Sequence, residues 1–463
     1  MPNKTVLKYI TAILIIASAL QAAGQTIAIK GKAAAFKKGQ LQLCTVDDYL
    51  NGHEKVIDSA GVDINGDFSF KPTIKQTQYS YIKIGDLVYE LYLEPAQNVD
   101  LIIPDTVGFA KDSVLKPIQI VNGNPGGLNA LIPAFDADYN DFLITNYKLI
   151  LRKTGQAQAK AFIKAQQDKY AANTNTFFAN YLLYRIGSLE LLAATKSRKE
   201  VLEYYFKDKP ILYYNPAYMD LFYEVFDKNL KVFRSTQVGE GLNNIINNRI
   251  DYGMAIDVMR RDSTIPNDTL RELALLKGLT EMYYEPTAIQ YSILEMFRYI
   301  ADKGLTPYSK LVANNAIAMF EKLRPGTPAP AFKLKDIVSG NTVSVADFKG
   351  KYVYLSFWDE DNPRSIQEID LIRELDKKYS KKITFISICN SANEAKTLAF
   401  INRNKYKWVF LNAKGSPKLL KDYDVLSYPS FYLIDKESNI LRCPADRPTG
   451  NIERTLDMLN KQK

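Results

Sequence analysis

The sequence predicts a multidomain protein with a β-rich N-terminal sandwich, an all-α middle region and a C-terminal α/β fold. Its 463 residues are enough for two or three domains. Short segments of alternating apolar and polar residues come first, and apolar residues at helical spacing follow. In the last part, a nearly unbroken apolar run at residues 352–357 indicates a strand buried on both faces. We place the three regions at residues 25–118, 119–325 and 326–463.

Residues 1–24 have the order of a secretory signal peptide. Lys4 and Lys8 precede an apolar run at residues 9–20, and small residues follow up to Gly24. The run is shorter than the ~20 residues of a membrane span. We therefore expect cleavage after Gly24, with an uncleaved N-terminal anchor as the alternative. No second apolar segment of spanning length follows, so we expect an exported protein of the periplasm or cell envelope, without a transmembrane segment after signal cleavage.

The β-rich region is predicted from short strands separated by turn residues. The candidate strand segments lie at residues 26–31, 41–45, 63–70, 79–84, 88–93 and 98–103. Asn65-Gly66 is a strong hairpin signal, because glycine and asparagine tolerate the positive φ of a two-residue turn. We interpret this region as a small antiparallel sandwich.

The middle region is predicted to be helical. A joint rich in Gly, Asn and Pro at residues 122–127 marks its start, and a stiff proline-containing linker at residues 324–330 marks its end. No fixed repeat period is present, so a solenoid is not predicted. Many of the 30 tyrosines lie here, several in adjacent pairs. Aromatic residues at helical spacing are usually core residues, and an exposed platform for a sugar or peptide is the alternative.

Four motifs appear in order in the last region. They are Ala329-Pro330-Ala331-Phe332-Lys333-Leu334, the strand and turn at residues 343–351, the segment at residues 357–368, and Tyr423-Asp424-Val425-Leu426-Ser427-Tyr428-Pro429-Ser430. Together they resemble the exported thioredoxin-like proteins of the TlpA and peroxiredoxin-related type. The resemblance implies a thioredoxin-like fold here. In the first region, residues 63–70 resemble a domain of unknown function that precedes thioredoxin-like domains in many exported proteins of Bacteroidetes-type bacteria.

The resemblance implies that the Cys-x-x-Cys pair of this family is replaced by Asn362-Pro363-Arg364-Ser365. Asn362 falls on the nucleophilic cysteine and Ser365 on the resolving one. Pro429 falls on the proline that is normally cis and faces the cysteine pair. Thiol–disulfide exchange needs a thiolate to attack and a second thiol to release the mixed disulfide, and neither Asn nor Ser supplies one. We therefore expect no catalytic residue at this turn.

The replacing residues favour a structural role. Asparagine followed by proline is a preferred start for a helix, with Asn362 as the N-cap and Pro363 at the first helical position. The acidic residues 359–361 lie where the positive end of that helix favours negative charge. We interpret them as a solvated turn partly screened by Arg364. A hard cation is the alternative, disfavoured because no Asp-x-Asp-x-Asp-Gly loop is present. No metal or cofactor is expected.

Cysteine and histidine usage excludes several chemistries. Cys44, Cys389 and Cys443 are widely spaced, so no zinc or redox motif can be drawn from them. In a thioredoxin-like sheet the strands of Cys389 and Cys443 are not neighbours, and buried, inert thiols are expected at both. The single histidine, His53, lies outside the last region, which excludes a His-based triad or zinc site there.

The charge pattern does not favour nucleic acid. The net charge is +9 with a pI near 9.0, and the lysines are scattered among acidic residues rather than arranged in a stripe. Two classes of function remain. We favour a non-catalytic binding or structural module of the cell envelope, with an unknown envelope protein or peptide as partner. The alternative is a thiol–disulfide oxidoreductase or antioxidant-type protein that acts through another thiol or a partner.

Overall fold

The computed structural model describes residues 24–85, 87–104, 115–116, 118–122, 126–285, 288–425 and 427–461. All but the last residue of the expected signal peptide lies outside the described residues. Contacts between Cα atoms divide the chain into two compact units, one up to Ile317 and one from Ala318 to Lys463. No helix of the described part is long and apolar enough to cross a membrane.

The first unit begins with eleven described strands that form two larger sheets and one short pair. The strands are β1 Gln25–Thr26, β2 Ile29–Lys32, β3 Gln40–Asp48, β4 His53–Gly61, β5 Asp67–Phe70, β6 Thr73–Ile74, β7 Gln78–Ile84, β8 Leu87–Leu93, β9 Val99–Ile102, β10 Leu115–Lys116 and β11 Gln119–Ile120. One sheet has the order β10-β8-β7-β3-β4, the other has the order β11-β9-β2-β5, and β1 pairs with β6. Apolar side chains of both larger sheets share one core.

The sandwich differs from the predicted one in two respects. It is mixed rather than antiparallel, because β2 pairs in parallel with β9 and β10 pairs in parallel with β8. Asn65-Gly66 does form a tight turn, with Gly66 at a φ of +85°. That turn is not a hairpin, however, since β4 pairs with β3 and β5 pairs with β2 in the other sheet. Turn chemistry fixes the local reversal but does not choose the partner of each strand.

Helices make up the rest of the first unit. They are α1 Leu128–Leu151, α2 Gln156–Lys169, α3 Thr176–Leu192, α4 Arg198–Val201, α5 Pro216–Val225, α6 Asn229–Phe233, α7 Leu242–Asn244, α8 Tyr252–Met259, α9 Asp268–Tyr283, α10 Gln290–Lys303 and α11 Pro307–Lys322, which runs past the division. Five-residue π-helical turns follow α4 and α7. The paired tyrosines divide between core and surface: Tyr205 is buried, whereas Tyr204 is 53% exposed.

The second unit has the expected α/β architecture. Its strands are β12 Lys333–Lys335, β13 Thr342–Ser344, β14 Tyr352–Trp358, β15 Ile383–Cys389, β16 Val409–Asn412, β17 Ser430–Ile434 and β18 Ile440–Arg442. Its helices are α12 Pro363–Tyr379, α13 Glu394–Asn404, α14 Pro417–Asp422 and α15 Ile452–Lys461. Five strands form a sheet in the order β16-β15-β14-β17-β18. The central strand β14 is parallel to β15 and antiparallel to β17.

Strand β14 is buried along its whole length, as the apolar run predicted. Successive side chains of a strand point to opposite faces of its sheet. Tyr354 and Trp358 accordingly join one hydrophobic core, with apolar residues of α12, α13 and α15. Val353, Leu355 and Phe357 join a second core on the other face. This double burial fixes the carboxyl end of β14, from which the next turn leads into α12.

Candidate functional site

The turn between β14 and α12 lies at the carboxyl end of the parallel strands β14 and β15. Trp358 ends β14 and pairs with Cys389 at the end of β15. Four residues separate Trp358 from Pro363, the first residue of α12. Because both strands end here, the turn lies beside the segment that leads from β15 to α13.

Asn362 is the N-cap of α12. Its side-chain Oδ1 accepts hydrogen bonds from the backbone N–H groups of Arg364 at 2.9 Å and Ser365 at 3.2 Å. The free N–H groups at a helix start need such acceptors, and Pro363 lacks the N–H that would otherwise remain unpaired. The side-chain Nδ2 of Asn362 donates to the carbonyl oxygen of Tyr428 at 3.2 Å. Asn362 therefore links the helix start to the loop before β17.

The peptide bond between Tyr428 and Pro429 is cis. Burial raises the pKa of the Tyr428 hydroxyl, and the negative charge of Asp359 adds to the effect. Of the residues predicted to form the site, Asn362 and the Pro429 loop are thus joined by a direct hydrogen bond.

Two buried polar atoms at this turn have no partner among the described residues. They are the Oγ of Ser365 and the indole Nε1 of Trp358. Both residues are fully buried. A serine hydroxyl needs a neighbouring base to become a nucleophile, and the Ser365 hydroxyl has no hydrogen-bond acceptor in the described part of the chain. Among the described residues, no base is therefore positioned to activate the Ser365 hydroxyl.

The acidic residues beside the turn are paired more specifically than predicted. Asp361 forms an ion pair with Lys396 of α13, 2.5 Å apart. Glu360 accepts hydrogen bonds from the hydroxyl groups of Ser391 and Thr397. We expected Arg364 to screen the charge of this turn, but the cation paired with Asp361 is Lys396. The sequence alone does not show which distant lysine comes close to the turn. A cavity of about 210 Å³ lies among these side chains.

The described residues offer no group of three or more His, Cys, Asp or Glu side chains that could hold a metal ion. His53 lies at the start of β4, where its Nδ1 is 2.7 Å from Oδ1 of Asp47.

The three cysteines are all free thiols. Burial raises the pKa of the Cys389 thiol to about 12, and Glu360 adds to the shift. Burial also raises the pKa of Cys443 to about 12, with a contribution from Asp424. Cys389 ends β15 and Cys443 follows β18, and these strands are separated by β14 and β17. Both thiols are thus protonated at neutral pH.

The second unit contains two buried polar clusters. Glu368 on α12 is only 2% exposed, and its carboxylate accepts from the Thr449 hydroxyl at 2.7 Å and the Thr449 N–H at 3.0 Å. The Oγ of Ser356 on β14 lies 2.8 Å from the Oγ of Ser387. The Glu368 pair was not predicted, although a glutamate on the apolar face of a helix signals that its buried carboxylate needs a hydrogen-bond partner.

Comparisons with known proteins agree with this fold. The model of the AhpC/TSA family matches residues 325–442. The thioredoxin-like protein YneN of Bacillus subtilis is 30% identical over 119 residues, which cover 26% of this chain and 69% of that protein. The thiol-disulfide oxidoreductase ResA of Bacillus thuringiensis is 29% identical over 123 residues, covering 26% of this chain and 70% of the relative.

Among solved structures, a candidate thiol-disulfide oxidoreductase from Bacteroides vulgatus is 32% identical and covers 30% of this chain and 98% of its own, with a TM-score of 0.28. The second unit is a thioredoxin-like domain related to thiol-disulfide oxidoreductases. Through it, the chain belongs to the AhpC/TSA thioredoxin-like family.

Proposed function

We propose that the second unit is a redox-inactive thioredoxin-like module of the cell envelope, which binds an envelope protein or peptide at the Asn362 turn and the Pro429 loop. One observation carries this proposal. The side chain at position 362 uses its oxygen and its nitrogen for three hydrogen bonds that hold the turn and the loop together. The resemblance to TlpA-like proteins puts the nucleophilic cysteine at this position. Here Asn362 instead connects the start of α12 to the loop before β17 by hydrogen bonds.

The state of the remaining thiols supports the same proposal. A reactive cysteine needs an accessible thiol with a lowered pKa. Cys389 is 1% exposed, and the pKa values of Cys389 and Cys443 are both raised to about 12. The alternative function, thiol chemistry through another cysteine, is favoured by the names of the relatives and would rely on Cys443, which is only partly buried.

Reduction of insulin disulfides by dithiothreitol tests the two functions. We expect the full chain to give no acceleration above the dithiothreitol background, because no thiolate is available at the turn. A thiol-disulfide oxidoreductase with an intact Cys-x-x-Cys pair, assayed in parallel, is the positive control. Turnover by the unaltered chain that disappears in Cys443→Ser or Cys389→Ser would establish the alternative.

Export is part of the proposal. It is supported by the order of basic, apolar and small residues in positions 1–24. The expected mature N-terminus is Gln25, within one or two residues, and mass spectrometry of envelope fractions measures it directly. Recovery of the protein from the cytoplasm with Met1 or Pro2 at its N-terminus would contradict export.

A further inference from the structure

A cavity of about 590 Å³ lies in the first unit between the sandwich and the helices. Residues of β7 and β8 line one side, and residues of α1, α3 and α5 line the other. Its volume falls within the ~300–1,000 Å³ typical of sites for small molecules. The AhpC/TSA match begins only at residue 325, so the relatives assign no role to this cavity.

The wall of the cavity is held by hydrogen bonds between β8 and α1. The backbone N–H of Tyr92 donates to Oδ1 of Asn129 at 2.6 Å, and Nδ2 of Asn129 donates back to the Tyr92 carbonyl at 2.8 Å. The Tyr92 ring packs edge-on against Tyr79, with centroids 5.5 Å apart, and against Tyr181 at 6.4 Å. The aromatic lining is therefore preorganised rather than assembled by a ligand.

The charged groups that line the cavity are mainly acidic. Among the described residues of the lining, the carboxylates are Glu90, Asp136 and Asp220, and the one cation is Arg185. Three carboxylates against one guanidinium leave a net charge of −2 when all are ionised. Arg185 is already engaged, since its Nε lies 3.7 Å from Asp136 and its guanidinium lies 4.2 Å above the ring of Tyr139.

The three carboxylates differ in whether a hydrogen-bond donor of the protein contacts them. Glu90 accepts from the hydroxyl of Tyr79 at 2.6 Å, and Asp136 accepts from the hydroxyl of Tyr181 at 2.8 Å. Asp220 makes no hydrogen bond or ion pair with the described residues. Asp220, an exposed side chain of α5, therefore keeps both carboxylate oxygens open to a ligand, and Oδ1 of Asp136 also accepts no hydrogen bond from the described residues.

The pKa values of these carboxyl groups agree with a deficit of positive charge. Burial raises the pKa of Asp136, although Tyr181 and Arg185 act in the opposite direction. The side chains of Asp220 and Glu224 are exposed, yet the protein around them removes enough water to raise both pKa values. For Asp220, Arg185 acts in the opposite direction and the charge of Asp136 adds to the rise. A bound cation would lower all three pKa values.

We propose that this cavity binds a primary ammonium group carried on an apolar stem, from either a free amine or a lysine side chain. Asp220 is the anion that receives the ammonium group. Tyr79 and Tyr181 line the same cavity and offer aromatic surface to the apolar stem. This assignment is independent of the function proposed for the second unit.

Calorimetric titration of the full chain with phenethylammonium tests the proposal. Phenethyl alcohol has the same stem without the charge, and 3-phenylpropionate has the opposite charge. We expect binding of the ammonium compound at least about tenfold tighter than of either control, or about 1.4 kcal/mol. Nα-acetyl-lysine-N-methylamide, titrated in parallel, distinguishes a lysine side chain from a free amine by which of the two cations binds more tightly.

Two variants of equal charge change locate the site. Asp220→Asn should weaken phenethylammonium binding about tenfold or more, whereas Asp141→Asn, an exposed position on α1 outside the cavity lining, should leave it unchanged. Melting curves of both variants report whether they fold.

Binding should also release protons at mildly acidic pH, because the cation lowers the raised pKa values of the carboxyl groups. Calorimetry detects this release as a binding enthalpy that changes with the ionisation enthalpy of the buffer. Equal binding of the alcohol and the ammonium compound, equal loss in both variants, or no binding overturns the proposal.

Discussion

The side-chain amide of Asn362 connects the start of α12 to the carbonyl oxygen of Tyr428, the residue before the cis Pro429. The Oδ1 atom of the same side chain caps the helix by accepting from Arg364 and Ser365. A cysteine at this position could make neither set of bonds with comparable strength, because sulfur is a weak donor and a weak acceptor. The turn is therefore stabilised by the side chain that, under the proposed function, stands in place of the nucleophilic cysteine.

Asn362→Ala is expected to destabilise the second unit by about 1–2 kcal/mol. The substitution removes the helix cap and leaves the Tyr428 carbonyl without its donor. Urea denaturation of the full chain, monitored by hydrogen exchange of peptides from residues 359–379, measures the change in that unit.

Two matched substitutions separate the cap from the link to the loop. Asn362→Asp keeps acceptors for the helix start but loses the donor to Tyr428. Asn393→Ala removes the cap of α13, whose side chain accepts from Lys396 N–H. We expect the alanine at position 362 to cost more than either change. An equal cost for Asn362→Ala and Asn393→Ala would mean that the bond to Tyr428 contributes nothing.

Cys389 and Cys443 are expected to resist alkylation in the native chain near neutral pH. Their pKa values are raised to about 12, so the thiolate fraction is very small. Iodoacetamide labelling with peptide mapping should modify both residues only after denaturation, with Cys443 the faster of the two because it is less buried. Rapid labelling of native Cys389 would show that the strand end opens readily.

The same pKa values predict a dependence of stability on alkaline pH. An unfolded cysteine has a pKa of about 8.5, and the folded thiols ionise only near pH 12. Their contribution to stability is therefore fully present below about pH 8.5 and is lost as the pH rises toward 12. Cys389→Ala should lose less stability than the unaltered chain over that interval, as measured by urea denaturation. An identical pH dependence in both chains would contradict the assigned shift.

The sequence was sufficient for features that depend on neighbouring residues. The buried strand β14 follows from an unbroken apolar run, and the cap at Asn362 follows from the Asn-Pro pair. Features that depend on distant residues were not predictable. The parallel partner of β2 is 70 residues away, and the ion pair of Asp361 joins it to a helix 35 residues further on. Neither pair has a local pattern, because the meeting of such residues is decided by the packing of whole elements.

Glu368→Gln is expected to destabilise the second unit by about 2 kcal/mol. The buried carboxylate accepts two hydrogen bonds from Thr449. A glutamine amide has only one oxygen, so its NH₂ group would face one of the two Thr449 donors and that hydrogen bond would be lost. Thr449→Val removes only the hydroxyl bond and should cost less. A double-mutant cycle between Glu368→Gln and Thr449→Val, measured by urea denaturation, should show coupling of about 0.5 kcal/mol or more. Strict additivity would mean that the two side chains do not interact.

Asn362→Cys with Ser365→Cys is expected to fold and to form an internal disulfide between the new residues. Residues at the N-cap and three positions later face each other across the first helical turn. The loss of the Asn362 cap should cost about 1 kcal/mol, which a domain of this size tolerates. Free thiols are counted before and after mild oxidation, and mass mapping identifies the linked peptides. The single substitution Asn362→Cys is the matched control and should form no internal disulfide.

The new disulfide should exchange slowly with external thiols. The helix start lowers the pKa of a thiol at position 362, while the neighbouring Asp359, Glu360 and Asp361 raise it. Lys396 already pairs with Asp361, so Asp359 and Glu360 remain to oppose the helix, and Asp359→Asn in the double-cysteine chain should speed the exchange. Exchange rates with dithiothreitol measure both effects. A folded double variant that never forms the disulfide would show that positions 362 and 365 do not correspond to the cysteine pair of the family.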